Sequence, residues 1–168
     1  MTYVGFSTPR RFNPVSWLVR LFTGSRTSHV WFLYFDQDFD LYMVMEAHEL
    51  GFRVLPFSRF KKENRVVSVF KTQADLSTGM RWAATWLGTA YDFGGLIGMA
   101  WVLFWRMLRK NVRNPLRSSH AMFCSEITVK VLQRTATTWA KPLRAASTSP
   151  QDLLELFEKH EPPMQELP

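Results

Sequence analysis

The sequence contains one cysteine, Cys124, and a single thiol cannot form a disulfide within the chain. Small and polar residues precede Cys124 and an apolar-periodic run follows it, which predicts a helix that starts there and ends near Gln133. The unpaired N–H groups at a helix N-terminus carry partial positive charge and favour a thiolate. An inert, buried thiol is the alternative, because free cysteine is among the most buried residue types. A histidine held by an orienting group would favour the reactive thiol.

Two segments rich in β-branched and aromatic residues supply such a histidine, because they flank a short polar run and so predict a β-hairpin. If the turn is centred between Gln37 and Asp38, His29 lies directly opposite Glu46. Facing Cβ atoms in an antiparallel pair are about 4.5–5.5 Å apart. A carboxylate at that distance holds an imidazole in one tautomer and stabilises its protonated form.

Together these residues predict a Cys–His–Glu triad for acyl transfer. Cys124 would attack a carbonyl carbon, His29 would take and return the proton, and Glu46 would orient His29. Backbone N–H groups at the start of the Cys124 helix would stabilise the oxyanion. The expected reaction is hydrolysis of an amide, in a peptide or a peptidoglycan peptide, through an acyl-thioester. A thiol acyltransferase or lipase acting on lipid acyl esters, or a non-catalytic binding protein of the same fold, remains open.

The other elements predict an α+β protein. The Asn13-Pro14 pair is typical of a helix start and Gly24 of its end, and Ser149-Pro150 starts a last helix. Residues 1–160 are expected to form one domain, followed by a flexible tail over 161–168 that contains two prolines. The remaining predictions are strands over 3–7, 28–35, 41–47, 51–56 and 65–70, a basic loop over 58–64 and a helix over 75–87.

Charge and composition limit the partners. The 168 residues carry a net charge of +7, which attracts anionic surfaces such as phospholipid or acidic cell-wall polymer. The basic residues are scattered through loops, which argues against nucleic acid. One cysteine and scattered histidines give no metal-ligand spacing, and no cofactor is implied. Nothing at the start of the sequence has the pattern of an export signal, so we expect a cytoplasmic protein.

The apolar stretch over 94–108 predicts a helix with Trp101, Phe104, Trp105 and Leu108 on one face. Its uncharged part is too short to cross a bilayer, which needs about 20 apolar residues. The stretch is either a core helix or a functional surface, which would be an apolar wall of the substrate groove or a membrane-surface contact for an acyl or lipid substrate. In the second case Trp101 and Trp105 would contact the substrate.

Two further histidines lie near the predicted triad. His120 precedes Cys124 by four residues and either caps the loop or approaches the thiol. His48 shares a strand face with Glu46 and is a rival partner for its carboxylate. His160, near the C-terminus, carries no functional signal.

The order of the motifs resembles that of the circularly permuted NlpC-like papain-fold hydrolases, a group that includes the lecithin–retinol acyltransferase-like proteins and in which the histidine precedes the cysteine. This resemblance implies an antiparallel sheet or barrel packed against helices, with the nucleophile Cys124 at a helix N-terminus, His29 as base and Glu46 as the third polar residue. It also implies that Tyr91 lines the active site. The first strand lacks the Gly-Asp opening usual in that group. The motifs are Ser28-His29-Val30, Glu46-Ala47, Gly88-Thr89-Ala90-Tyr91-Asp92, Phe123-Cys124-Ser125-Glu126 and Ser149-Pro150-Gln151-Asp152-Leu153.

Overall fold

The computed structural model describes residues 1–90, 92–110, 112–113, 115, 122–165 and 167. Over these residues the protein is mixed α+β, as predicted, with one five-stranded antiparallel sheet and six α-helices. The strands are β1 (Thr2–Pro9), β2 (His29–Asp36), β3 (Leu41–His48), β4 (Gly51–Pro56) and β5 (Asn64–Lys71). The helices are α1 (Pro14–Thr23), α2 (Phe57–Glu63), α3 (Ser77–Ala84), α4 (Phe93–Met107), α5 (Cys124–Gln133) and α6 (Pro150–His160).

The sheet has the order β4-β3-β2-β1-β5, so β2 is the central strand. Every neighbouring pair is antiparallel. Apolar side chains on one face form the larger core with α3, α5 and α6, and those on the other face pack against α2. The first residue of β2 is His29, so the sheet places this ring at the end of its central strand.

The predicted register of the β2–β3 hairpin is wrong by two residues. Glu46 lies opposite Trp31, not opposite His29. The turn holds two more residues than the prediction allowed, because the Asp36 carboxylate accepts the N–H groups of Asp38 and Phe39 at 3.1 Å and keeps the chain turning beyond Asp38. A shift of two residues leaves every side chain on the same face of the sheet, whereas a shift of one would have reversed them.

Residues 58–64 were predicted to form a basic loop, and this prediction is wrong because they lie mainly within α2. Phe57 and Phe60, three residues apart, are buried on one side of this short helix. Lys61 and Lys62 occupy its last turn, where cations interact favourably with the helix dipole. Only Phe57 and Phe60 mark the buried side of this helix, and the charged residues between and after them are typical of a loop, so the sequence pattern did not predict a helix.

The helix ends predicted from capping residues are confirmed. The Asn13 side chain accepts the N–H of Ser16 at 2.9 Å, and α1 ends at Gly24 in the left-handed conformation, with φ of 60°. Ser149 and Asp152 form a reciprocal capping box at the start of α6. Helix α5 has the bounds expected from the sequence.

Helix α3 is shorter than the predicted helix over 75–87. Beyond Ala84 the N–H groups of Thr85, Trp86 and Leu87 bond to carbonyls three residues back, so the helix tightens into turns. The turns end at Gly88, whose φ of 81° favours glycine.

The first residues of the predicted flexible tail are packed in the structure. The buried Glu161 accepts the N–H of Gln73 at 2.9 Å. Pro163 forms a bridge with Phe70, and the N–H of Met164 donates to Val69 at 2.8 Å. This segment therefore covers part of the free edge of β5, which would otherwise present unpaired backbone groups.

Candidate active site

Cys124 is the first residue of α5, and only 2% of its surface is exposed. Two hydroxyl groups hold this end of the helix in place. Ser125 Oγ donates to the carbonyl of Thr148 at 2.7 Å, and Thr128 Oγ1 donates to the carbonyl of Cys124 at 2.9 Å. Helix α5 also packs against β2 and β3, so the sheet and the helix together determine where the thiol lies.

The surroundings of the Cys124 thiol favour its ionised form. Burial raises the pKa of the thiol, but the hydrogen bond and charge of His29 lower it by more, and the backbone N–H groups of Val30 and Ser125 add to this effect. The net result is a pKa below the ordinary value of 9.0. A low thiol pKa distinguishes reactive cysteines from structural ones.

The imidazole of His29 bridges the thiol and a carboxylate. Its Nε2 atom lies 2.6 Å from Oε2 of Glu46, which leaves Nδ1 as the nitrogen available to the Cys124 thiol. The ring stacks on Phe60 of α2 at a centroid distance of 6.4 Å, and the side chain is 15% exposed. Burial lowers the pKa of His29, but its contacts with Cys124 and Glu46 outweigh this and raise the pKa to about 10.

His29 and Glu46 meet although they do not face each other directly across the hairpin. Glu46 comes two residues before the position on β3 that lies opposite His29, and its extended side chain spans the diagonal between the two strands. Diagonal neighbours on one sheet face are about 7–8 Å apart, within reach of long side chains. The structure thus brings together the three predicted residues Cys124, His29 and Glu46 by a route that differs from the predicted one.

Arg53 is a further member of this cluster that the sequence analysis missed. It faces Glu46 directly across β3 and β4. Its Nε donates to Oε1 of Glu46 at 2.8 Å, and its Nη2 donates to Oε2 of Glu63, on α2, at 2.9 Å. The Glu46 side chain is fully buried, and a buried carboxylate needs such partners to stay ionised.

The pKa of Glu46 shows the balance of these contacts. Burial raises this pKa, but the hydrogen bond and charge of His29, followed by those of Arg53, lower it below its ordinary value of 4.5. Glu46 is therefore a carboxylate that holds His29 rather than a proton donor. A signal for Arg53 was present in the sequence, because a two-residue turn before Gly51 pairs Arg53 with Glu46.

The two tryptophans predicted to contact the substrate lie on α4, apart from this cluster. Trp101 and Trp105 pack against each other on α4 at a centroid distance of 5.4 Å. In the described part of the chain neither indole forms a ring contact or hydrogen bond with Cys124, His29 or Glu46. Tyr91 and His120 lie outside the described residues.

The remaining histidines have other contacts. Nδ1 of His48 accepts the N–H of Leu50 at 3.2 Å within the β3–β4 turn. Burial and the charge of Arg53 lower the pKa of His48, so its neutral form is favoured. His160 stacks on Trp139 at a centroid distance of 5.5 Å. His48 therefore does not replace His29 as the partner of Glu46.

No protein-family model matches this sequence, and no curated protein matches it. Among the described residues no group of three or more His, Cys, Asp or Glu side chains is placed to hold a metal ion. Function is therefore inferred from the arrangement of Cys124, His29, Glu46 and Arg53.

Proposed function

We propose that the protein is a cysteine hydrolase that cleaves an amide bond through an acyl-thioester on Cys124. One observation carries the proposal: His29, whose interaction with Cys124 lowers the pKa of the thiol, is itself held through Nε2 at 2.6 Å from the buried Glu46 carboxylate. A structural cysteine has no need of a histidine that is itself oriented by a carboxylate. This chain of three groups is the arrangement that nucleophilic catalysis requires.

The reaction follows from the favoured protonation states. The Cys124 thiolate attacks the carbonyl carbon, a C–S bond forms, and the carbonyl π electrons move to oxygen. Backbone N–H groups at the start of α5 stabilise this oxyanion. The His29 imidazolium then gives its proton to the departing nitrogen, the C–N bond breaks, and an amine leaves.

The second half of the cycle regenerates the thiolate. Neutral His29 removes a proton from water, and the resulting hydroxide attacks the thioester carbonyl. The C–S bond breaks, a carboxylic acid leaves, and Cys124 is again a thiolate beside the His29 imidazolium. Glu46 stays ionised throughout and keeps Nε2 of His29 as a donor, so that Nδ1 faces the reacting atoms.

The protonation of His29 supports an amide substrate. An amine is a poor leaving group unless it is protonated as the C–N bond breaks, whereas an alcohol leaves from an ester more readily. In the resting enzyme the pKa of His29 is raised to about 10, so the imidazole enters the reaction with the required proton at neutral pH. The proposed substrates are therefore peptides or peptidoglycan peptides.

A second candidate, acyl transfer from or hydrolysis of lipid esters, is supported by the surface of α4. Trp101 and Phe104 leave more than two fifths of their surface exposed on this helix. An apolar surface of this kind suits acyl chains better than polar peptides.

The fold proposed for this chemistry is the circularly permuted papain-like fold. Three features support it: the histidine precedes the cysteine in the chain, it lies on the central strand of an antiparallel sheet, and the cysteine begins a helix packed on that strand. The acidic residue follows on the adjacent strand, β3.

Incubation with a panel of peptide, murein-peptide and lipid-ester substrates, followed by mass spectrometry of the intact protein, tests the proposal. We expect turnover of an amide substrate, with an acyl adduct on Cys124 in acid-quenched samples. Cys124→Ala should abolish both turnover and adduct. Cys124→Ser, which keeps the size of the side chain, should show whether a loss arises from chemistry rather than folding. Turnover that persists in Cys124→Ala would contradict the proposal.

A further inference from the structure

Helix α4 presents an apolar stripe to the outside of the molecule. The stripe consists of Ile97, Trp101, Phe104 and Leu108, which are spaced by four, three and four residues and so share one side of the helix. Each is between 43% and 63% exposed, whereas Val102, on another side, is buried. Soluble proteins rarely leave contiguous apolar surface of this kind uncovered.

The neighbouring helix adds to this surface. Helix α1 packs against α4, and its Trp17 and Leu21, one helical turn apart, are both exposed. Phe12, which directly precedes the α1 cap residue, is 81% exposed. Two adjacent helices therefore each expose aromatic and aliphatic side chains. No helix among the described residues is long and apolar enough to cross a bilayer.

The two sequence segments that contain these helices carry only positive charges, although Arg26 and Arg106 pair with Glu158 and Asp152 of α6. Residues 10–35, which include α1, contain four arginines and no Asp or Glu. Residues 93–125, which include α4, contain five Lys or Arg and again no Asp or Glu. Two copies of this surface would repel each other, whereas an anionic surface would attract it.

A basic cleft of about 900 Å³ lies at the C-terminal end of α4. Arg106, Arg109 and Lys110 line one part of it, and Arg144 and Lys159 line another. Its acidic residues are Asp152 and Glu155, and Asp152 is paired with Arg106 at 3.0 Å, so the cleft keeps an excess of positive charge.

We infer that the α1–α4 surface docks on an anionic phospholipid bilayer. The apolar stripe enters the interface between headgroups and acyl chains, and the exposed Arg109 and Lys110, which directly follow the last residue of the stripe, bind lipid phosphates. Apolar insertion and charge attraction act together here, which is the combination that holds amphipathic helices on membranes. Docking is independent of the thiol chemistry, and it would bring the enzyme to substrates at a membrane surface.

Co-sedimentation with vesicles tests this inference. The 168-residue protein should sediment with vesicles of equal parts phosphatidylglycerol and phosphatidylcholine, and much less with phosphatidylcholine alone. The double variant Ile97→Ser/Trp101→Ser should bind the anionic vesicles at least about tenfold more weakly, because two inserting side chains are lost. Its matched control is Phe39→Ser/Leu50→Ser, which removes two exposed apolar residues from hairpin turns and should bind as the wild type does.

A second pair of variants separates charge from apolar insertion. Arg109→Gln/Lys110→Gln should weaken binding and reduce its salt dependence, whereas Lys62→Gln/Lys71→Gln, with the same net charge, should not. Cys124→Ala should bind vesicles normally even if it has lost all turnover, so failure of docking and failure of the proposed catalysis are distinguishable.

The inference is overturned if the wild type does not sediment with anionic vesicles or if the Ile97→Ser/Trp101→Ser variant binds them as strongly as the wild type does. It is also overturned if sedimentation velocity shows a dimer that the same variant abolishes, since that result assigns the surface to a second copy of the chain.

Discussion

Nε of Arg53 donates to Oε1 of Glu46 at 2.8 Å, while the other oxygen of the same carboxylate lies 2.6 Å from Nε2 of His29. One carboxylate thus joins a cation on β4 to the imidazole on β2. Because Arg53 also donates to Glu63 of α2 at 2.9 Å, the position of Glu46 depends on three elements at once. Arg53 is a positioning residue: it acts on the thiol through Glu46 and His29.

Replacing Arg53 should weaken catalysis more than it weakens folding. Arg53→Gln removes the charge beside Glu46, which should cost about 2 kcal/mol of stability, as for a hydrogen bond to a charged group, and reduce kcat about tenfold or more because His29 is less well oriented. Arg53→Lys keeps the charge but cannot donate hydrogen bonds to both carboxylates in the same geometry. Compared with Arg53→Gln, it should therefore restore more of the stability than of the activity.

Urea unfolding and the pH profile of kcat separate the two effects of Arg53. The low-pH limb of the profile should move to higher pH in Arg53→Gln, because Arg53 lowers the pKa of Glu46 and its loss lets this carboxylate take up a proton at higher pH. Arg59→Gln is the matched control, since Arg59 also approaches Glu63, at 3.7 Å, but does not touch Glu46. A profile that keeps its shape in Arg53→Gln would mean that Arg53 only stabilises the fold.

Alkylation of Cys124 by iodoacetamide should be fast well below the ordinary thiol pKa of 9.0. The rate should rise with pH through the lowered pKa of the thiol and reach a plateau while His29 remains protonated, up to a pKa of about 10. In His29→Ala the hydrogen bond and charge that lower the thiol pKa are lost, while burial still raises it. The thiol pKa should therefore rise, and the alkylation rate at neutral pH should fall about tenfold or more.

The same measurement tests whether His29 causes the reactivity of the thiol. The control variant is His48→Gln, because the hydrogen bond of His48 lies within the β3–β4 turn rather than at the thiol. A wild-type rate that rises only near 9.0, or an unchanged profile in His29→Ala, would contradict the thiolate–imidazolium pair.

The contact between His29 and Glu46 could be predicted from sequence because the side chains of a strand point alternately to the two faces of the sheet, so every second residue shares a face. The turn was placed one residue too early, which moved the register by two and left both side chains on the same face. A long carboxylate side chain then covered the remaining distance. The cap residues Asn13 and Ser149 were predictable for a related reason, since a cap depends on local hydrogen bonds.

The features that the sequence did not reveal depend on contacts between distant parts of the chain. Helix α2 has only Phe57 and Phe60 as buried residues, and its charges are typical of a loop. It is helical because those two rings pack on Trp31, at centroid distances of 5.7 and 4.6 Å. Arg53 likewise gains its role only when β4 pairs with β3 and α2 folds back over the sheet.

Glu46 should make the protein more sensitive to acid. Its pKa is below 4.5 in the folded protein and near 4.5 in the unfolded chain, so the unfolded state binds the proton first as pH falls. The stabilising contribution of the carboxylate is therefore complete above pH 4.5 and is lost as pH falls through the folded pKa. Glu46→Gln, measured by urea unfolding, should be less stable than wild type at neutral pH, and the difference should shrink in acid. A difference that stays constant with pH would contradict the ionised state of Glu46.

Phe60 should matter for both stability and reactivity, because its ring packs on Trp31 at 4.6 Å and stacks on His29 at 6.4 Å. Phe60→Ala leaves a cavity in the core beneath α2 and should lower the free energy of unfolding by about 3–5 kcal/mol. Phe60→Leu fills most of that space and should cost about 1 kcal/mol, yet it removes the flat surface against which the imidazole rests.

If the ring of Phe60 orients His29, the leucine variant should fold well, but its Cys124 should be alkylated more slowly at neutral pH. Phe39→Ala, at an exposed turn, should change neither quantity. Normal alkylation in a folded Phe60→Leu protein would show that Glu46 and Arg53 suffice to orient the ring.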